Sequence, residues 1–220
     1  MLTKYGMPQV AIYPALLAIS MTVLAVCFYP AVWIWFIELL LLAVLVWVLS
    51  FFRNPIRRTP KDESILYAPC DGTVTEISSD DGRICVGMFL SIYNVHINRA
   101  PCTAEVIETR YMKGQHRSAH DGISSKVNES NDITFRRSFP PGETVTVRQI
   151  SGAVARHIVC AVKVGDRLKQ GEQLGMIKFG SRTELIIPGS SGYILCVQPG
   201  DKVKAGLTPL IRYTEAAETV

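Results

Sequence analysis

Charge is almost missing from the start of this 220-residue chain: between Lys4 and Arg53 the only charged residue is Glu38. A stretch so poor in charge cannot be the solvated exterior of a soluble domain. Metal-ligand and disulfide patterns are missing too. The six cysteines (Cys27, Cys70, Cys85, Cys102, Cys160 and Cys196) form no CxxC pair. That excludes a zinc ribbon or a disulfide framework and suits reduced, partly buried thiols of a cytosolic domain. No strong charge bias exists either. The net charge of +4 comes from scattered basic residues without aromatic interleaving, which speaks against nucleic acid as a partner. Finally, no long apolar 3.6-residue period occurs after Pro60, so a helical domain is excluded there.

What is present at the N-terminus is apolar. Pro8 to Phe28 and Ala31 to Phe52 are two runs, each near the ~20 residues of a spanning helix. Tyr29-Pro30 between them suits a tight turn. The pair is too long for a secretory signal peptide. A hairpin puts Lys4 and the Arg53, Arg57, Arg58 and Lys61 cluster on one side, the cytoplasmic one by the positive-inside rule. Glu38 lies within the first third of the second run, where a carboxylate at depth costs at least ~2.5 kcal/mol unless paired or protonated. A shallow, non-spanning hairpin therefore stays open, and Trp33, Trp35 and Trp47 fit interfacial anchoring in both cases. The composition shift divides the chain into a membrane-anchoring hairpin, 1–52, and a soluble domain, 53–220.

The soluble part reads as strands. Short alternating or β-branched runs recur at Gly72–Ile77, Ile84–Ile97, Ala104–Tyr111, Glu143–Gln149, Ala153–Val164, Leu174–Phe179, Thr183–Ile187 and Tyr193–Val197, with Gly, Pro, Asp and Asn between them. There is an internal echo: Val164-Gly-Asp-Arg-Leu-Lys-Gln-Gly171 resembles Pro199-Gly-Asp-Lys-Val-Lys-Ala-Gly206. Ala68-Pro-Cys-Asp-Gly-Thr-Val74 resembles Ile187-Pro-Gly-Ser-Ser-Gly-Tyr-Ile194 with one residue extra. The expected fold is mainly β: a barrel-sandwich-like β domain of intertwined pseudo-repeats, preceded by an N-terminal α-helical membrane hairpin. No Met-Lys-Met lysine marks a swinging-arm carrier.

Gly180-Ser181 is by itself an ordinary turn dipeptide. Its surroundings are more telling. Gly175-Met-Ile-Lys-Phe-Gly-Ser-Arg-Thr-Glu-Leu-Ile-Ile-Pro188 is preceded, in order, by Ala68–Val74, by Phe89-Leu-Ser-Ile-Tyr-Asn-Val-His-Ile-Asn-Arg-Ala-Pro101, by Asn128-Glu129, and by Gln149-Ile-Ser-Gly-Ala-Val-Ala-Arg156 with Val159-Cys160. Over about Arg53 to Tyr213 this series resembles the short-form phosphatidylserine decarboxylases, in which Phe-Gly-Ser-Arg holds a self-cleavage site. The resemblance implies a β chain of residues 1–180 and an α chain that starts at Ser181, modified to a pyruvoyl group, with no metal. It implies a zymogen of phospholipid biosynthesis: the pyruvoyl forms a Schiff base with phosphatidylserine, CO2 leaves, and phosphatidylethanolamine results. The implied partners are the membrane phospholipid and the two chains of one heterodimer. Further assembly is left open, as is decarboxylation of a related serine phospholipid.

The chemistry needs these residue types. Ser181 Oγ attacks the carbonyl of Gly180, where glycine leaves the carbonyl accessible. A base must take its proton; His96 is the candidate, oriented by Asp71. Whether His96 also protonates the product is left open. Without the resemblance, His96 on a polar strand stripe reads as a solvated edge, and Asp71 before Gly72 as a turn residue. Arg156 and Arg182 are candidates for the lipid phosphate or carboxylate, with Asn128 and Glu129. His116 and His120 fall in a polar stretch, Lys113–Val127, read as a mobile surface loop that could cover a substrate. The chain departs from the family at Tyr93, where long forms carry a second histidine. It departs again at Ser130, in place of the arginine of Asn-Glu-Arg, and at His157, in place of a second arginine. A non-enzymatic, membrane-tethered barrel-sandwich adaptor is the competing class; its long helical hairpin between half-motifs is absent.

Overall fold

The computed structural model describes residues 1–80, 82–118, 124–139, 142–153, 157–178, 180–189 and 192–214, the side chains of Pro8 and Asp80 excepted. The chain divides into two compact units, Met1–Ile56 and Arg57–Val220.

The first unit holds α1 (Met7–Phe28) and α2 (Val32–Phe51). Ala31 N–H donates to Phe28 O at the turn, 2.9 Å, and Thr3 N–H donates to Phe52 O at the other end, 2.9 Å. The two helices are thus tied at both ends into a hairpin. Gln9–Phe28 and Val32–Phe51 are long and apolar enough to cross a membrane, and only 6% and 11% of these stretches are buried. Apolar helices this exposed suit a lipid environment.

The second unit is built from short strands: β1 (Ile65–Tyr67), β2 (Gly72–Asp80), β3 (Arg83–Leu90), β4 (Ile97–Arg99), β5 (Ala104–Met112), β6 (Ser130–Arg137) and β7 (Thr144–Ile150). There follow β8 (Ile158–Cys160), β9 (Arg167–Leu168), β10 (Gln173–Ile177), β11 (Ser181–Pro188), β12 (Tyr193–Leu195), β13 (Lys202–Val203) and β14 (Pro209–Tyr213). Eight of them form a curled antiparallel sheet in the order β13-β2-β3-β11-β7-β6-β5-β9. Two three-stranded sheets, β1-β14-β12 and β4-β10-β8, complete the unit. Alternation decides the core: Val74, Val86, Met88, Val106, Ile133, Phe135, Val147 and Leu185 point inward and are buried. The outer face carries a row of charges instead, Glu76, Arg182, Glu184, Arg148 and Asp132, linked by ion pairs.

The strand order reads alike from both ends, and the hydrogen bonds repeat with it. Gly165 N–H donates to Val106 O and Gly200 N–H to Val74 O, both at 2.8 Å. The Asp166 and Asp201 carboxylates accept from Lys163 N–H and Gln198 N–H, both at 2.9 Å. The echo of 164–171 in 199–206 is therefore a true structural repeat. The other half differs from the sequence expectation. Ala68–Val74 has its counterpart in Ala100-Pro-Cys-Thr-Ala-Glu-Val106, not in 187–194: Tyr67 N–H donates to Pro101 O, 3.0 Å, and Arg99 N–H to Pro69 O, 2.8 Å. Residues 187–194 instead contain the end of β11 and the start of β12. The match to them rested on Pro and Gly alone, which mark turns of any kind.

Candidate active site

Ser181 opens β11 opposite Leu90 of β3. It is fully buried, and its Oγ has no hydrogen-bond partner among the described residues. A buried hydroxyl left unpaired costs about 1–3 kcal/mol, a cost tolerated where the group has other work. Gly180 before it has φ +61°, the left-handed region. A Cβ there would meet no heavy atom within 4 Å, so backbone angle rather than space favours glycine. Lys178, two residues upstream, is buried, and desolvation lowers its pKa. Phe179 lies outside the described residues.

His96 is fully buried at the start of the β4 segment. Its Nδ1 lies 2.9 Å from Asn94 O. A carbonyl oxygen only accepts, so the neutral ring carries its proton on Nδ1 and its lone pair on Nε2. That is the tautomer a general base needs. Ile177 N–H donates to His96 O, 3.3 Å, while Ser181 sits opposite Leu90. The turn from β10 to β11 is thus held at both ends by the segment from Leu90 to His96.

Asp71 approaches the same edge from a third direction. The Tyr67–Pro101 and Arg99–Pro69 bonds lay the segment that leads to Asp71 alongside β4, and Thr73, two residues on, lies opposite Phe89, the neighbour of Leu90. Its carboxylate is engaged: Oδ1 accepts from Arg57 Nη1, 2.5 Å, and from Ala205 N–H, 2.9 Å, and Oδ2 accepts from Arg57 Nη2, 2.7 Å. Arg57, read from sequence as membrane flank only, is the partner that was missed.

Below Ser181 the inner face stays polar for one more row. Asn98 Nδ2 donates to Thr183 Oγ1, 3.1 Å, Gln149 Nε2 to Asn98 Oδ1, 2.9 Å, and Asn131 Nδ2 to Gln149 Oε1, 3.0 Å. All four residues are buried. Such a ladder is stable only when every member is satisfied, and it then fixes the strands that carry it.

The remaining candidates fall in different places. Arg182 points to the outer face, away from Ser181. It donates to Glu184, 2.8 Å, Glu76, 2.9 Å, and Thr75, 3.1 Å, and these acids keep its pKa above the usual arginine value despite burial. Glu129 is at the site's edge: Ile150 lies opposite both Ser130 and Arg182, so Glu129, Ser151 and Ser181 follow one another across the sheet one residue further on. Asn128 is buried and holds Arg117 and Ser151 through their backbones. His116 is not a free surface residue; its Nδ1 lies 3.2 Å from Ser151 Oγ and its Nε2 3.6 Å from Glu129. Tyr93, where a second histidine stands in long forms, is 71% exposed. Arg156 and His120 lie outside the described residues. Among the described residues no three His, Cys, Asp or Glu side chains are placed to hold a metal.

A family model described as phosphatidylserine decarboxylase matches residues 44–210. The chain belongs to the phosphatidylserine decarboxylase family. A phosphatidylserine decarboxylase proenzyme of Rhodopirellula baltica is 39% identical over 223 residues, 97% of this chain and 92% of that protein. One of Syntrophus aciditrophicus is 38% identical over 205 residues, 90% of this chain and 93% of that protein. A putative archaetidylserine decarboxylase proenzyme of Methanopyrus kandleri is 40% identical over 189 residues, 80% and 86% of the two chains. This member of the phosphatidylserine decarboxylase family is thus an enzyme, a decarboxylase of the lyase class. The reading as a non-enzymatic adaptor falls on that finding.

Proposed function

We propose that this decarboxylase is made as a proenzyme that cuts itself between Gly180 and Ser181, and that the product acts on phosphatidylserine to yield phosphatidylethanolamine. One observation carries the reading: a buried serine hydroxyl without a partner among the described residues, directly after a left-handed glycine. His96 Nε2 takes the proton of Ser181 Oγ, and the oxygen adds to the Gly180 carbonyl carbon. Collapse breaks the Gly180–Ser181 C–N bond and leaves an ester on Oγ, with the proton returned to the freed nitrogen. Loss of the Ser181 α-proton then expels the Gly180 carboxylate and leaves a dehydroalanine, whose nitrogen water replaces, releasing ammonia and a pyruvoyl terminus. Residues 1–180 and 181–220 become the β and α chains of one heterodimer.

The site's residues fit such a group, since β11 would hold it at the buried N-terminal end of a central strand with Ser151 and Glu129 alongside. The pyruvoyl carbonyl supplies an electrophile for the substrate amine and a sink for the electrons left when CO2 departs. Asn94 O orients the His96 ring through Nδ1, Asp71 supplies negative charge to balance the imidazolium, and the Asn98–Gln149–Thr183 ladder keeps the strands in register around the cut. Arg182 contributes by clamping the outer face of β11; Asn128 holds the 115–117 loop against Ser151, and Arg156 stands as a candidate for the lipid phosphate. The hairpin of the first unit anchors the enzyme in the cell membrane, with its catalytic unit on the cytoplasmic side where the basic flank lies. The Methanopyrus kandleri relative favours a second reading, a related serine phospholipid as substrate.

Gel electrophoresis with intact-mass analysis tests the cut. Two fragments split after Gly180, the smaller blocked at its N-terminus, are expected; a single full-length chain overturns the reading. Ser181→Ala is expected to stay whole. His96→Ala is expected to slow cleavage by about 10²–10⁴-fold; unchanged cleavage removes His96 from the base role. Lipid vesicles of phosphatidylserine and of archaetidylserine, assayed for CO2, separate the two substrates.

A further inference from the structure

The four cations that follow the apolar helices are not alike. Arg58 and Lys61 are exposed, whereas the Arg57 side chain is only 7% exposed. Its guanidinium grips both oxygens of Asp71 and also donates from Nη1 to Ala205 O, 2.7 Å. Ala205 N–H returns to Asp71 Oδ1, closing a three-residue knot. A carboxylate offers about four acceptor sites. Three are used here, so one lone pair on Oδ2 remains and its direction is fixed.

Thr59 makes a second, independent attachment. It sits between Gly171 and Gly206, the equivalent glycines of the two repeats, both with positive φ. A Cβ on Gly206 would lie 2.8 Å from Thr59 Oγ1 and 3.5 Å from Gly171 Cα, and one on Gly171 would lie 2.7 Å from Thr59 Cβ. Gln170 Nε2 then holds the end of the segment through Asp62 O, 3.1 Å, and Ile65 O, 2.7 Å. The segment from 57 to 62 is therefore a strap seated where the repeats meet, and it breaks their symmetry. In the other repeat Thr103 occupies the place of Asp71, and its hydroxyl donates to Glu63, 2.7 Å.

We propose that Arg57 is a positioning residue of the self-cleaving centre: through the strap it fixes the carboxylate of Asp71, the acidic group that the self-cleavage reading assigns to that centre. The inference rests on the self-cleavage reading above. A buried ion pair is a poor device for stability alone, because desolvation offsets most of the attraction and an apolar pair of similar volume holds a strap as well. Its geometric rigidity is what a catalytic carboxylate requires.

The test uses the full chain, with cleavage followed over time and the melting temperature measured on each variant. Arg57→Ala is expected to slow cleavage by about tenfold or more. Arg57→Lys keeps the charge without the fork and is expected to fall between it and wild type. Asp71→Ala with Arg57→Ala is expected to be no slower than Asp71→Ala alone, because Arg57 acts only through Asp71. Full-speed cleavage in Arg57→Ala overturns the inference, as does a double variant slowed by the product of the two single effects. Should Arg57→Ala fail to fold, full-speed cleavage in a folded Arg57→Lys also overturns it. An uncut wild type overturns both this inference and the proposed function; a cut wild type with unaffected Arg57 variants overturns this inference alone.

Discussion

Asn98 donates its side-chain amide to the hydroxyl of Thr183 across 3.1 Å, which ties the segment of His96 to the strand that begins at Ser181. Gln149 completes the amide from the other side, 2.9 Å. Replacing Asn98 with Ala leaves buried polar atoms of both neighbours without their partner, at a cost of about 1–3 kcal/mol. The Ser181→Ala chain is the right background, since all variants then stay in one piece. There Asn98→Ala is expected to lower the melting temperature by roughly 2–4 °C per kcal/mol. An unchanged thermal midpoint would show that the ladder contributes nothing.

Arg182 is expected to behave as a structural residue. Its guanidinium is 2% exposed and faces Glu184, itself 4% exposed. Removing one partner of a buried pair strands the other charge, at about 3–5 kcal/mol, whereas removing both in favour of apolar side chains is often neutral. Arg182→Met should therefore be strongly destabilised, and Arg182→Met with Glu184→Leu should recover most of the loss in chemical denaturation. A normally stable Arg182→Met with weakened substrate affinity would return Arg182 to the lipid headgroup.

Lys178 sets a pH dependence. Desolvation lowers its folded-state pKa below the ordinary 10.5, so the folded chain binds the proton less readily than the unfolded chain. Burial of the charged amine costs stability fully below the lowered value, and the cost fades as pH rises toward 10.5. In the Ser181→Ala background Lys178→Met is expected to melt above its parent at neutral pH, with the gap closing by about pH 10.5. Melting curves at several pH values decide it; a gap that widens with pH would contradict the assignment.

The cysteines should separate by reactivity. Burial pushes the thiols of Cys85 and Cys102 up to about 12, and that of Cys70 higher still. A thiol with a pKa near 12 is about one part in ten thousand thiolate at pH 8. Cys160 and Cys196 are exposed. Alkylation at pH 8 followed by peptide mass analysis is expected to mark these two quickly and to spare Cys70, Cys85 and Cys102 until the chain unfolds. Rapid labelling of Cys70 would mean that the site opens.

Much of the globular unit was legible because strand alternation is a local signal. β2, β3, β5, β7, β10, β11 and β12 all lie in or across runs that the sequence marked. β6 was not marked, although it is central: Ser130-Asn-Asp-Ile-Thr-Phe-Arg-Arg137 places only Ile133 and Phe135 in the apolar core, and its inner Asn131 is satisfied by Gln149 from the next strand. A polar residue that is buried only because a distant strand bonds it looks exposed in sequence. β14, Pro209–Tyr213, was missed as well, being short and led by a proline. The run from Ile84 to Ile97 is two strands in two sheets, with a turn at Ser91–Asn94.

The site divides along the same line. Ser181, Gly180, His96 and Asp71 became candidates through motifs that match the family, because such motifs are short strings of neighbours in the chain. The two apolar helices were legible in the same way, from their length and scarcity of charge. Which groups those residues face was decided only by the fold. Arg57 reads as one more cation beside a membrane until β2 and the turn at Ala205 bring Asp71 and a carbonyl to it; Arg182 reads as a ligand for phosphate until the pleat turns it to the outer face, among carboxylates. Side-chain direction on a strand depends on register with its neighbours, and register here is set by pairings between segments more than eighty residues apart, as between Leu90 and Ser181.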